Sequence, residues 1–214
     1  MTGRIRMQTI GAIAPIIVTF VLLGGIAPSA DAALLLPNTT IAAVAEPDPI
    51  GGTVIANSGP VAFSSGTING TLTSQVIQGA TNPLGGLTFT YLLTLNGGSP
   101  DAVERFSISA YDAFSTDASY NTSVGATAPT TISRSLNGNV IGFNFPAPAT
   151  LPPGATSRLL VVQTNAPSHA VTTASVINGT TATVTSFAPL AVPEPGTVSI
   201  LALCAGRLLL KRRR

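Results

Sequence analysis

Few residues in this 214-residue chain are equipped for chemistry. Between residues 33 and 195 there is one histidine, His169, and no cysteine, lysine or tryptophan. A Ser-His-Asp arrangement would have to use His169, which closes the loop-like run Asn165-Ala166-Pro167-Ser168, and no Gly-x-Ser-x-Gly elbow occurs. Zinc is excluded from this region because its sites take several His or Cys ligands. Gly51-Gly52 and Gly85-Gly86 stand outside any phosphate-cradling pattern and mark turns. Asp101, Glu104, Asp112 and Asp117 are the one acidic group that oxygen-only coordination of Ca²⁺ could use, since calcium tolerates flexible, irregular ligand sets. No EF-hand or nonapeptide pattern supports such a site, and solvated carboxylates are ordinary where a strand begins. Sugar-binding faces stack on exposed Trp or Tyr rings. Tyr91 alternates into an apolar strand face, so only Tyr111 and Tyr120, beside Asp112 and Asn121, remain for a small polar-aromatic patch; otherwise they are strand-end tyrosines with wet hydroxyls. No catalytic residue, metal ligand or cofactor site is assigned.

The elements that hold these residues are strands. From Thr53 onward the chain is rich in Thr, Ser, Val, Ala, Asn and Gly and has no run of strong helix formers. Leu87 to Leu95 alternates with period two, placing Leu87, Phe89, Tyr91, Leu93 and Leu95 on one face and Thr88, Thr90 and Thr94 on the other. Arg105 to Tyr111 repeats the pattern with Phe106, Ile108 and Ala110, and Val140 to Phe145 with Ile141, Phe143 and Phe145. Leu159-Leu160-Val161-Val162 is a continuous apolar run, as in a strand covered on both faces. Asn178-Gly179, between Val171–Ile177 and Thr180–Phe187, is the signal of a two-residue type I′ hairpin, and Asn69-Gly70 and Asn137-Gly138 look like similar turns. Thr53–Ala56, Val61–Ser64, Thr71–Ile77 and Ile132–Ser135 are weaker strands. Short strands at this spacing with no helix between them predict an all-β fold, a single antiparallel β-sandwich over 53–187. Residues 33–52 read as a loosely held leader that contributes at most one edge strand, and Ala188 to Val192 as a short spacer.

The net charge of +2 misleads about partners. Arg4, Arg6, Arg207, Lys211, Arg212, Arg213 and Arg214 all belong to the two ends. From Ala33 to Pro195 three arginines face seven carboxylates, a net charge of −4. Neutralising a phosphate polymer takes clustered Lys and Arg, so nucleic acid is not an expected partner.

Both ends carry targeting chemistry. Arg4 and Arg6 precede the apolar stretch Ile10 to Ile26, and Ala30-Asp31-Ala32 has the small-x-small spacing of a signal-peptidase site. Residues 1–32 are therefore expected to be a signal peptide cleaved between Ala32 and Ala33, the alternative being an uncleaved signal anchor. At the other end, the rigid, extended Val192-Pro193-Glu194-Pro195 is followed by an apolar segment over 196–210 and by the basic tail Lys211, Arg212, Arg213 and Arg214. An apolar segment closed by cations stops in the membrane with its basic end in the cytoplasm. The segment spans about 22 Å as a helix, against a hydrocarbon core of about 30 Å, and suits a transient anchor better than a permanent one. Cys204, the only cysteine, lies within it, so no disulfide can form in the exported part.

The order of Pro-Glu-Pro, apolar segment and basic cluster at the extreme C-terminus resembles the PEP-CTERM sorting signal of bacterial exosortase substrates; a plain tail anchor is the alternative. Arg207 departs from the family's usual uncharged segment, at a depth from which it can snorkel. The resemblance covers residues 188–214 and implies recognition of Pro193-Glu194-Pro195 by an exosortase-like membrane protease. It further implies export through an inner-membrane intermediate to the cell surface or beyond, and an association with exopolysaccharide or biofilm. The resulting expectation is a non-catalytic surface or matrix structural protein processed by signal peptidase and the sorting protease. The competing expectation is a weak carbohydrate-binding or adhesive module.

Overall fold

A computed structural model of the chain describes residues 34–190, in which every regular element is a strand. In chain order these are β1 (Thr40–Ala42), β2 (Gly51–Ser65), β3 (Ile68–Ala80), β4 (Thr88–Leu95), β5 (Arg105–Ile108), β6 (Thr116–Asn121), β7 (Thr131–Arg134), β8 (Ile141–Asn144), β9 (Leu159–Thr164), β10 (His169–Asn178) and β11 (Thr180–Pro189). They form two antiparallel sheets, one of six strands in the order β1-β7-β8-β5-β10-β11 and one of five in the order β2-β3-β4-β9-β6.

Alternation explains how the sheets share one core. Leu87, Phe89, Tyr91, Leu93 and Leu95 of the five-stranded sheet are buried, as are Phe106, Ile108, Ile141, Phe143 and Phe145 of the six-stranded one. The two inner faces meet where the Tyr91 ring tilts against Phe106 at 5.4 Å, and Phe106 in turn lies 6.3 Å from Phe143. Leu160 and Val162 join the core while Val161 is buried on the opposite face, so β9 is covered on both sides as its apolar run predicts.

Several local expectations change. Thr53–Ala56 and Val61–Ser64 are parts of one long strand, β2, whose pairing with β3 shifts register between Val54 and Ala56 and again between Asn57 and Pro60. Asn69-Gly70 is not a turn: the chain reverses at Gly66 and Thr67, Ser65 pairs with Ile68, and Gly70 lies within β3. A side chain at Gly70 would collide with the Thr94 carbonyl and the Phe63 ring, which is why a glycine sits in the strand. At the β10–β11 hairpin only Gly179 has positive φ, at 61°, so the tip is not the type I′ turn, which needs two such residues. Asn137-Gly138 does close a turn, with the Gly138 N–H donating to Ser135 O. Strand β6, Thr116–Asn121, lies outside the segments whose alternation predicts a strand.

The leader is not loose. Leu35 is buried, and its N–H donates to Thr116 O of β6. Thr40–Ala42 then adds the expected edge strand, β1, beside β7, and Ala45 returns to bridge Tyr120 of β6. Leader residues thus join the β7 edge of one sheet to the β6 edge of the other. At the far end β11 continues to Pro189, with Ala188 buried, so Ala188 and Pro189 belong to the sheet and not to a spacer.

Candidate functional site

Each arginine in the described region binds neutral oxygens. The buried Arg134, on the inner face of β7, donates from Nε to Gly138 O (2.9 Å), from Nη1 to Leu35 O (2.8 Å), and from Nη2 to Tyr111 O (2.6 Å) and Phe114 O (2.8 Å). Burial lowers its pKa, the charge of Asp112 works against that, and the four carbonyls supply the solvation that water otherwise would. It acts as a clamp that fixes the leader and the loop after β5. Arg158 donates to Thr122 O and Gly125 O, and Arg105 to Asn144 Oδ1 at 3.1 Å.

The acidic group suggested by sequence does not converge. Asp101, Glu104 and Asp112 are exposed, whereas Asp117 is buried in β6, and among the described residues no three His, Cys, Asp or Glu side chains gather as metal ligands do. The tyrosine patch does not form either. Tyr111 is fully buried; the Tyr91 hydroxyl donates to Phe187 O at 2.9 Å and therefore accepts from the Tyr111 hydroxyl at 2.6 Å. Burial pushes both hydroxyl pKa values far up, so they remain neutral core donors. Tyr120 is half-buried against the core. His169 opens β10 rather than lying in a loop, half-exposed and edge-on to Phe187 at 5.8 Å. A shallow depression of about 310 Å³ at the leader contains Asp112 and Arg134, but the clamp already occupies that guanidinium.

The two outer faces are the distinctive surfaces. On the five-stranded sheet, cross-strand pairing puts Thr88, Gln163 and Asp117 in one row over β4, β9 and β6, and all three are buried. Residues 46–50 act as a strap. Glu46 N–H donates to Tyr120 O, Asn121 Nδ2 donates to Pro47 O (2.7 Å) and Asp48 O (3.1 Å), and Ile50 O accepts from Thr81 N–H beyond β3. Thr81 reaches the same row, its carbonyl accepting from Gln163 Nε2 at 2.7 Å. Thr88 Oγ1, Gln163 Oε1 and Asp117 Oδ2 find no hydrogen-bond partner among the described residues. Asp117 is pushed up to about 6, first by burial and then by the charges of Glu46 and Asp48, against a stabilising bond from the Ala118 N–H.

The outer face of the six-stranded sheet is open and polar. Register places Thr40, Ser133, Gly142, Ser107, Ser175 and Thr183 in one row across all six strands. The next row is Ala42, Thr131, Asn144, Arg105, Ile177 and Thr181. At roughly 4.8 Å per strand spacing each row is about 24 Å long. The Arg105 guanidinium lies over Gly142, where an added Cβ would overlap it. Neither row holds an acidic or aromatic residue.

No protein-family model, curated protein or solved structure matches the chain. The signal-peptidase site Ala30, Ala32 and Ala33, the sorting motif Val192, Pro193, Glu194 and Pro195, the apolar segment and the tail Lys211 to Arg214 lie outside the described residues.

Proposed function

We propose that the chain is an exported structural protein of the cell surface or extracellular matrix, processed by signal peptidase and then through a PEP-CTERM/exosortase-like route, with no catalytic role. The observation that carries this reading is the ordering of signals along one chain: a basic, apolar, Ala-x-Ala start and a Pro-Glu-Pro, apolar, basic end enclose a single β-sandwich body. Within the described residues the lone histidine packs on Phe187, the buried tyrosines bond to each other, and the buried arginine is spent on backbone carbonyls, all of them structural roles.

Glu194→Ala tests the route. It removes the motif's one charge and keeps both prolines and their extended geometry. Unprocessed precursor is expected to accumulate in the membrane fraction, seen as a larger band by immunoblot. Release of Glu194→Ala as efficient as that of the parent rules out recognition of the motif and leaves a plain tail anchor.

A further inference from the structure

We propose that the open face of the six-stranded sheet docks a polyhydroxylated polymer bearing sparse carboxylates, a uronate-containing glycan, with Arg105 as the anchor. The face offers what such a chain needs. Its two rows extend about 24 Å and hold no carboxylate, and a sugar chain laid across the strands meets the hydroxyls of Thr40, Ser107, Ser175, Thr181 and Thr183, while those of Thr131 and Ser133 already accept from Asn144 Nδ2. A stacking mode through tyrosine is not available on this face, because neither row holds an aromatic residue. What the face has instead is one cation held in a defined pose. Arg105 bonds Asn144 through Nη1 alone and lies over the bare backbone of Gly142, and its other guanidinium N–H groups have no partner among the described residues. A planar guanidinium with two free N–H groups is matched to a carboxylate, which it can take in a bidentate fork. A phosphate polymer would require a cluster of cations, whereas one arginine in a field of hydroxyls suits carboxylates separated by neutral sugar hydroxyls.

This deepens the matrix reading above by naming a partner, and rests on it only for where the polymer is met; the binding itself is a property of the folded face. The test uses the full-length chain in mild non-ionic detergent, with hyaluronan, which carries one carboxylate per disaccharide, and uncharged dextran immobilised on separate biosensor surfaces. Hyaluronan is expected to bind reversibly, more weakly as salt rises, and dextran to bind far less. Arg105→Ala should lower the hyaluronan association constant about tenfold, the loss expected for one charge-assisted contact. Gly142→Ala, which keeps the charge but lifts the guanidinium off the sheet, should lower it as well. Both variants retain the terminal basic tail, so attraction through Lys211 to Arg214 is common to all samples, and unchanged thermal unfolding shows that the fold is intact. Binding by Arg105→Ala equal to that of the parent, equal binding to dextran, or no binding by the parent each overturns the proposal. Export fails or succeeds separately, in the Glu194→Ala measurement.

Discussion

The two outer faces of this body are built from similar residues and put to opposite use. Both are rich in Ser, Thr, Asn and Gln. On the five-stranded sheet they are buried beside the strap over 46–50 and Thr81, and the cost appears as three buried oxygens without partners among the described residues and a carboxyl driven toward its neutral form. On the six-stranded sheet the hydroxyl-bearing residues of the rows are exposed or half-exposed, and Arg105 is half-exposed among them. Polarity alone therefore does not mark a functional face. The distinction comes from where the leader runs, and the leader is held by Arg134.

Removing that clamp should do most to erase the difference. Arg134→Ala leaves four carbonyls without their shared donor, Leu35 O among them, and is expected to cost about 3 kcal/mol or more. The lowered denaturation midpoint should come with faster hydrogen exchange at Ser119 and Val161 as the strap lets go, while Ser107 and Ser175 on the open sheet change far less. Uniform acceleration on both sheets would mean that the leader does not distinguish them.

Asp117 sharpens the comparison from the covered side. Its carboxyl titrates near 6 in the folded chain and near its ordinary value when unfolded, so the native state holds the proton more tightly. Its contribution is complete below the unfolded pKa and is lost as pH rises through the folded one. Between about pH 4 and pH 7 the loss amounts to about 2 kcal/mol, at 1.36 kcal/mol per pKa unit with allowance for partial relaxation of the site. Asp117→Asn cannot ionise, and its amide can donate to Gln163 Oε1 across the strands. It should be more stable than the parent at pH 7.5 and flatten that part of the pH profile. Parallel urea-denaturation curves for parent and variant at both pH values would show that the strap does not desolvate Asp117.

How much of this was legible depends on what signals a strand. Leu87–Leu95 and Ile141–Phe145 announce themselves because large apolar side chains alternate with small polar ones. Strand β6 does not: Asp117, Ser119 and Asn121 on one side alternate only with Thr116, Ala118 and Tyr120. Its burial comes from the core on the side of Ala118 and from leader residues such as Leu34 and Leu35 that pair along it, features remote in sequence. Asn69-Gly70 was the stronger turn signal on paper, yet packing of Phe63 over Gly70 moved the reversal to Gly66-Thr67. The serines and threonines of the open face are visible one strand at a time. Their alignment into rows is not, because β5 sits between β8 and β10 and no local rule gives that order.

The smallest effect belongs to the open face. Ser175→Ala removes a half-exposed hydroxyl that water already solvates, and should change stability by no more than about 0.5 kcal/mol at any pH. A larger loss would mean that the face is already covered by something in the folded protein.

Whether either face meets a partner outside the cell turns on the two ends of the chain, and one measurement addresses both. The intact mass of the protein recovered from the cell surface should correspond to a product that begins at Ala33 and lacks Cys204 and everything after it. A surface product still carrying Arg214 would contradict the account and leave a membrane-anchored protein in its place.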